Sequence, residues 1–303
     1  MQALQEKIKT FREEANRVLL GKPRTIDKAL CCIFAGGHLL IEDIPGVGKT
    51  TLVRLLARLL GLSSNRIQCT NDLLPADITG SNILDSRTST FRFQPGPVFA
   101  QLVIADELNR ATPKTQSACL QAMQEGEVSI AGVTYQLPEP FIVVATQNPL
   151  DSTGTFPLPE SQLDRFLMKI DVGWPDRATE RRIIADEGAR PAPEDLEPVL
   201  GGEEVLEIRR LVRGLHLSEE VLDYIQDMVA ESRNLSAGLS TRAAMDLAAA
   251  ARAAAFLDGR DYVIPDDVRG ILGEVSAHRI GRTGSAEEAE ETVRTMLRQI
   301  NAP

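Results

Sequence analysis

One eight-residue string, Ile44-Pro-Gly-Val-Gly-Lys-Thr-Thr51, constrains the fold of this chain more than any other feature. It follows an apolar run that ends at Ile41, and it opens a helical pattern that reaches Leu60. A strand, a glycine-rich loop and a helix in this order are typical of a phosphate-binding loop. The strict form of the pattern has a glycine where Asp43 stands. The string predicts a nucleoside triphosphate site on an α/β sheet.

The residue types in this loop suit bound phosphates. Gly46 and Gly48 let backbone N–H groups approach the anionic oxygens, and the amino terminus of the helix adds a favourable dipole. Lys49 is placed to reach the β- and γ-phosphates, and the Thr50 hydroxyl is placed to coordinate Mg²⁺. The predicted nucleotide contacts in the loop are Pro45, Gly46, Val47, Gly48, Lys49, Thr50 and Thr51.

Two acids follow a second apolar run. Leu102 to Ala105 is typical of a buried strand, and Asp106 and Glu107 come directly after it. Asp106 can meet the Mg²⁺ held by Thr50, and Glu107 can act as the general base for an attacking water. Alone, the two acids could be a solvated strand end. Beside the phosphate loop they predict hydrolysis of the nucleotide.

Apolar strands that alternate with helical patterns predict a buried, mainly parallel sheet. The predicted strands are His38–Glu42, Arg66–Cys69, Leu102–Ala105, Phe141–Ala145 and Phe166–Ile170, after helices over 2–20 and 25–35. Two hairpins are predicted within this part, at 91–99 with Pro95-Gly96 in the turn and at 127–137 with a turn near Ala131-Gly132.

The pattern changes after Trp174-Pro175, where only helices are predicted. They run from Arg177 to Glu187, Glu203 to Arg213, Ser218 to Ser232, Thr241 to Leu257, Pro265 to Leu272 and Glu287 to Ile300. We therefore predict two domains, an α/β domain over 1–175 and an all-α domain over 176–303, with a boundary near 172–178.

Net charge, cysteine pattern and apolar stretches each disfavour certain classes of protein. The formal net charge is −10, whereas a tight nucleic-acid binder usually presents a basic face, so nucleic acid is disfavoured as a partner. The cysteines form no C-x-x-C pair and are expected to be reduced thiols in the core. The first residues contain no signal-peptide apolar block, and the apolar stretch over 29–35 is too short to span a membrane. These features favour a soluble, cytoplasmic protein.

Six strings in order resemble the MoxR ATPases, a group within the AAA+ class. They are His38-Leu-Leu-Ile-Glu-Asp-Ile-Pro-Gly-Val-Gly-Lys-Thr50, Leu73-Leu-Pro-Ala-Asp-Ile-Thr-Gly80, Phe93-Gln-Pro-Gly-Pro-Val-Phe99, Asp106-Glu-Leu-Asn-Arg-Ala111, Ala145-Thr-Gln-Asn-Pro149 and Leu163-Asp-Arg-Phe166. The resemblance implies a three-layer αβα AAA+ domain followed by a small all-α lid. It also implies that the hairpin at 127–137 is the helix-2 insert of that clade.

The resemblance assigns further residues. Asn148 matches sensor 1, which orients the attacking water, on a strand between the phosphate-loop strand and the Asp106 strand. Arg165 matches the arginine finger offered to a neighbouring subunit, although Arg110 is another arginine near that interface. Arg242 matches sensor 2 of the lid, with Thr241 where the family usually has proline. The segment implied to line the adenine pocket contains Val18, Leu19 and Gly21.

For function, the resemblance implies Mg-ATP hydrolysis coupled to chaperone-like maturation or activation of partner protein complexes. It further implies a homo-hexameric ring and a partner with a von Willebrand factor A domain. Three alternatives remain at this stage: a nucleic-acid motor similar to MCM helicases, a magnesium-chelatase-type motor subunit, and an ATP-binding switch without turnover. The identity of the client does not follow from the sequence.

Overall fold

A five-stranded parallel sheet forms the centre of the amino-terminal part of the protein. The computed structural model describes residues 1–149, 154–185, 191–235, 238–280 and 286–300. The sheet consists of β1 (Leu39–Glu42), β2 (Ser64–Gln68), β5 (Leu102–Asp106), β8 (Ile142–Gln147) and β9 (Met168–Ile170), in the order β2-β5-β8-β1-β9. All five predicted strands are confirmed. The order also confirms that the Asn148 strand lies between β1 and β5.

Helices cover both faces of this sheet, and the described chain after β9 has helices but no further strand. They are α1 (Gln2–Val18), α2 (Pro23–Phe34), α3 (Lys49–Leu59), α4 (Pro75–Thr79), α5 (Pro113–Glu125), α6 (Glu160–Leu163), α7 (Arg177–Ala185), α8 (Gly202–Arg213), α9 (Glu219–Leu235), α10 (Thr241–Leu257), α11 (Pro265–Ile280) and α12 (Ala286–Gln299). Because the faces are covered, β5 is buried along its whole length. The α/β fold followed by a helical lid is confirmed.

In the first helix, the apolar residues of the sequence pattern form the buried face. Leu4, Ile8, Phe11 and Ala15 of α1 recur at helical spacing and are all buried. Gly21 follows the helix with φ 72°, a conformation that favours glycine. The cysteines are likewise buried and form no disulfide among the described residues.

One of the two predicted hairpins is wrong. Its second strand, β4 (Thr90–Pro95), pairs with an upstream strand, β3 (Gly80–Asp85), so the turn lies at residues 86–89 and not at Pro95-Gly96. Gly96 instead passes against Gly80 at the base of the hairpin, where a side chain on either residue would collide with the other segment's backbone. The glycine serves this close approach.

The second hairpin is confirmed. Strands β6 (Glu127–Ile130) and β7 (Val133–Gln136) turn at Ala131 and Gly132, which both have positive φ as a tight hairpin turn requires. Its implied position needs a correction. The hairpin β6–β7 follows α5 and directly precedes β8. The hairpin β3–β4, in contrast, follows α4, which is the second helix after β1. By position, the helix-2 insert corresponds to β3–β4.

Beyond Ile170 the described residues form helices, apart from one isolated bridge between His216 and Tyr262. Helix α11 is longer than predicted, because Gly273 does not end it and Val275 and Ile280 are buried against the rest of the lid. The predicted end of α7 near Glu187 lies outside the described residues. The domain boundary at 172–178 stays a prediction. No helix in the described ranges is both long and apolar enough to cross a bilayer.

Helix α11 joins the lid to the segment that carries Arg165. The side chain of Arg279 is only 4% exposed and pairs with Asp164 at 2.9 Å and Asp246 at 2.5 Å. Its Nη2 also donates to the carbonyl of Phe166 at 3.0 Å, and His278 Nε2 lies 2.9 Å from the same oxygen. The lid is thus fixed to both neighbours of Arg165.

Burial of His278 makes stability depend on pH. Burial, and secondly the Arg279 guanidinium, lower the pKa of His278 to about 3, whereas an unfolded histidine titrates near 6.5. The unfolded chain therefore binds a proton that the folded chain excludes. Between pH 7 and 5 this one group should lower the free energy of unfolding by about 2 kcal/mol.

The check is chemical denaturation at pH 7 and pH 5 of wild type and His278→Gln. The substituted protein should lose about 2 kcal/mol less stability over this interval. His216→Gln is the matched control, because His216 is exposed, and it should keep the wild-type dependence. An unchanged dependence in His278→Gln would show that His278 becomes protonated in the folded state.

Candidate functional site

Most of the predicted phosphate-loop and catalytic residues meet in one cavity of about 400 Å³ at the carboxyl edge of the sheet. Parallel strands bring their carboxyl ends to a common edge, and the loops that follow β1, β5 and β8 supply the lining. The predicted residues that line the cavity are Pro45, Gly46, Gly48, Lys49, Thr50, Thr51, Asp106, Glu107 and Asn148. Val47 is buried beneath the loop instead.

The conformation of the loop explains its glycines. Gly46 has φ 88° and Gly48 has φ 101°, and both values lie in the left-handed region. Gly48 immediately precedes α3, so the amino end of this helix faces the cavity. The ammonium group of Lys49 donates to the carbonyl oxygen of Asp43. The loop therefore presents the features that bind phosphate, with the lysine turned back onto its own backbone.

Asp43, where the strict pattern has glycine, has a defined structural role. One carboxylate oxygen accepts the N–H of Ile44 at 2.7 Å. The other accepts the N–H groups of Val172 at 2.9 Å and Gly173 at 2.6 Å. This side chain fixes the start of the phosphate loop to the segment that leaves β9. Where the common pattern has a glycine, this chain therefore has a side chain that links the phosphate loop to the segment after β9.

The two acids after β5 are held by different partners. Asp106 is 7% exposed; one of its oxygens accepts from the Thr146 hydroxyl at 2.7 Å, and the other accepts from Arg66 Nη2 at 2.6 Å and Nε at 2.9 Å. Glu107 has φ 55°, an uncommon conformation for a non-glycine residue. Its carboxylate meets Gln68 Nε2 at 3.3 Å and Arg110 Nε at 3.2 Å.

Sequence reasoning missed Arg66, Gln68 and Thr146. Arg66 and Gln68 stand two residues apart on β2, so that they share one face and reach the acids of the adjacent strand. Thr146 accepts the N–H of Glu107 at 3.0 Å and donates to Asp106, so one hydroxyl links both acids. The polar alternation on β2 was a usable signal, but the pairing of β2 with β5 could not be read from spacing.

The two predicted arginines, Arg165 and Arg242, lie outside the cavity. Arg165 is half-buried after α6, and its Nη1 donates to the carbonyl of Leu120 on α5 at 2.7 Å. Its Nε is covered and has no partner among the described residues. Arg242 is exposed at the start of α10. Neither residue lines the cavity of its own chain, whereas Arg110 pairs directly with Glu107.

The segment after α1 lies beside the loop. A methyl group placed on Gly48 would meet Leu19 Cδ1 at 3.4 Å, and one placed on Gly21 would meet Thr179 Oγ1 at 2.9 Å. Val18 and Leu19 are buried. This segment, predicted to line the adenine pocket, therefore runs between the phosphate loop and α7.

The donor set suits a nucleotide with a divalent cation. The Thr50 hydroxyl and the Asp106 carboxylate face one cavity, and such hard oxygen ligands are those that Mg²⁺ prefers. Lys49 and the amino end of α3 suit phosphate oxygens. The carboxylate of Glu107 can accept a proton in the same space.

Comparison with known families agrees with this chemistry. Residues 38–168 match the family described as "ATPase family associated with various cellular activities (AAA)", and residues 229–300 match an AAA lid domain. The first range contains the whole cavity lining and all the strands of the central sheet except the end of β9.

The chain is also similar to whole proteins. YeaC of Bacillus subtilis (strain 168) is 42% identical over 298 residues, which are 96% of this chain and 93% of YeaC. Chaperone MoxR1 of Mycobacterium tuberculosis is 38% identical over 299 residues, covering 95% and 79%. The crystal structure of a candidate ATPase from Cytophaga hutchinsonii superposes with a TM-score of 0.88 at 37% identity and covers 99% of this chain and 96% of that one.

The connection made by Asp43 predicts a stability change. Asp43→Ala should lower the free energy of unfolding by about 1–3 kcal/mol, since three backbone N–H groups lose their acceptor in a partly buried place. Thermal and denaturant unfolding measure the effect. Asp227→Ala, on the exposed face of α9, should stay within about 0.5 kcal/mol of wild type. Equal stability of the two variants would mean that the Asp43 contacts contribute nothing.

Proposed function

The chain belongs to the MoxR family of AAA+ ATPases, and we propose that its cavity binds Mg-ATP and hydrolyses it to drive chaperone-like maturation of partner protein complexes. One observation carries the proposal. The loop after β1 and the ends of β5 and β8 bring Lys49, Thr50, Asp106, Glu107 and Asn148 to a single cavity. These are the groups that phosphoryl transfer to water needs.

In the proposed mechanism the loop binds the phosphates through its N–H groups, and Lys49 moves from the Asp43 carbonyl to the phosphate oxygens. Thr50 and Asp106 would hold Mg²⁺, which would neutralise charge at the phosphates. Asn148 orients the attacking water, and Glu107 accepts its proton. Gln68 and Arg110 both contact Oε2 of Glu107, so these contacts leave the other oxygen, Oε1, to accept the proton.

The second part of the proposal is a ring, with a hexamer as its form. Arg165 lies away from its own cavity, which supports a role at the nucleotide of a neighbouring subunit. An arginine supplied in this way stabilises the charge of the transition state. In this proposal Arg242 brings the lid to the nucleotide, and the lid is fixed to Asp164 and Phe166 through Arg279.

The partner is proposed to be a protein with a von Willebrand factor A domain, and the client is proposed to contact the β6–β7 hairpin. Val133 at the hairpin tip is exposed, whereas Val128 is buried. Tyr135 stacks on Phe93 of β4 at 4.0 Å between ring centroids, so the two hairpins form one projection. The name of Chaperone MoxR1 supports a client-directed role.

Glu107→Gln tests the reaction. The amide cannot accept the proton of the water, while Thr50 and Asp106 are unchanged, so ATP binding should persist and turnover should fall by about 100-fold or more. Equilibrium binding of ATP and phosphate release measure the two properties separately. Glu125→Gln, on the exposed end of α5, is the control and should turn over normally. Near-normal turnover by Glu107→Gln would place the base elsewhere.

Mixed rings test the role of Arg165. Arg165→Ala should bind ATP but hydrolyse it poorly, and Lys49→Ala should lose binding. At some interfaces of a mixed ring, the intact loop of one variant meets the intact arginine of the other, so mixing should restore activity that neither variant has alone. The measurement is ATPase rate against mixing ratio, with co-assembly shown by native mass. Absence of recovery in mixed rings would contradict the role of Arg165, and the same experiment with Arg110→Ala would then test that residue.

A further inference from the structure

Both oxygens of the Asp106 carboxylate accept hydrogen bonds from the protein itself. Thr146 donates to one oxygen at 2.7 Å, and Arg66 donates twice to the other, from Nη2 at 2.6 Å and Nε at 2.9 Å. The resemblance assigns this carboxylate to Mg²⁺ and assigns no role to Arg66. The oxygen that Arg66 occupies is therefore one that a cation would seek.

Arg66 reaches Asp106 from the adjacent strand, and its Nη2 also donates to Gln68 Oε1 at 3.1 Å. It stands on β2 opposite Ile104, and the next residue on its face, Gln68, pairs with Asp106 in the strand register. Its side chain is 43% exposed, whereas that of Asp106 is 9% exposed. The guanidinium lines the cavity beside Lys49 and Thr50. Rotation of the arginine into the cavity needs no change in the sheet.

Charge balance explains the contact. Asp106 and Glu107 are adjacent acids at one cavity, and a nearly buried carboxylate is unfavourable without a positive partner. Arg110 pairs with Glu107, and Arg66 pairs with Asp106. A bound divalent cation would meet the same need at Asp106. Two cations at one carboxylate oxygen repel each other, so the arginine and the metal exclude one another there.

We infer that Arg66 is the counter-ion of Asp106 in the nucleotide-free site and that it competes with Mg²⁺ for this carboxylate. The inference rests on the proposed function, since it takes Asp106 as a ligand of Mg²⁺. Arg66 then sets the Mg²⁺ concentration at which the site loads, and on loading it turns toward the cavity that the phosphates occupy. Thr146 keeps the carboxylate oriented in both states.

The test uses the full chain and two substitutions. Arg66→Gln removes the charge and keeps a hydrogen-bond donor, and Arg66→Lys keeps the charge without the paired donors. Arg54→Gln is the control: Arg54 is similarly exposed at 48%, but it faces Glu194 outside the cavity. The first readout is the Mg²⁺ midpoint for binding a fluorescent, non-hydrolysable ATP analogue. The second is Mn²⁺ binding without nucleotide, followed by the electron paramagnetic resonance signal of free Mn²⁺.

Arg66→Gln should lower the Mg²⁺ midpoint and tighten Mn²⁺ binding by at least about threefold, the effect of losing one partly screened cation. Arg66→Lys should fall between this variant and wild type, and Arg54→Gln should match wild type. An unchanged or higher midpoint in folded Arg66→Gln would overturn the inference and show that Arg66 merely orients Asp106. If wild type bound no nucleotide, the proposed function would fail, and Mn²⁺ binding would still decide the role of Arg66.

Discussion

Parallel pairing of β5, β8 and β1 is the constraint on which the site depends. The register sets Ala105 beside Ala145, and it sets Ile41 beside Thr146. Asp106, Thr146 and the start of the phosphate loop therefore reach one edge together. Backbone hydrogen bonds of the parallel sheet, which helices cover on both faces, fix these positions. The strands themselves therefore place Asp106 and Thr146 at the carboxyl edge. The conformation of Glu107, with its positive φ, is tolerated because its N–H is bound to Thr146 of the neighbouring strand.

The charges at this edge are balanced before any nucleotide arrives. Each acid has an arginine partner, and Lys49 is bound to a backbone carbonyl. In the empty site, the nearly buried carboxylate of Asp106 therefore has a positive partner, which avoids the cost of an unpaired buried charge. In the proposed mechanism, nucleotide binding would exchange these partners: the phosphates would bind Lys49, and a cation would replace Arg66 at Asp106. The free energy of loading would then be a difference between two states in which these charged groups all have partners.

The sequence predicted the parts of this site that depend on neighbours along the chain. The loop from Pro45 to Thr51 and the Asp106-Glu107 pair each follow their own strand, and local spacing suffices to place them. Arg66 and Thr146 were not found, because their contacts depend on which strands are neighbours in space. The hairpin error has a similar cause. Pro95-Gly96 has the composition of a turn, but Gly96 is required by a crossing with Gly80, a residue whose proximity only the fold reveals.

Fold context also explains how the phosphate loop is joined to the rest of the chain. The Asp43 carboxylate binds Val172 and Gly173, and Lys22 donates to the carbonyl of Trp174 at 2.7 Å. Gly21 packs against Thr179 at the start of the helical part. The chain that leaves the sheet for the lid is thus held from two sides by segments next to the nucleotide cavity. Asp43, the residue that departs from the common loop pattern, makes this connection, so the departure has a structural role in joining the phosphate loop to the segment after β9.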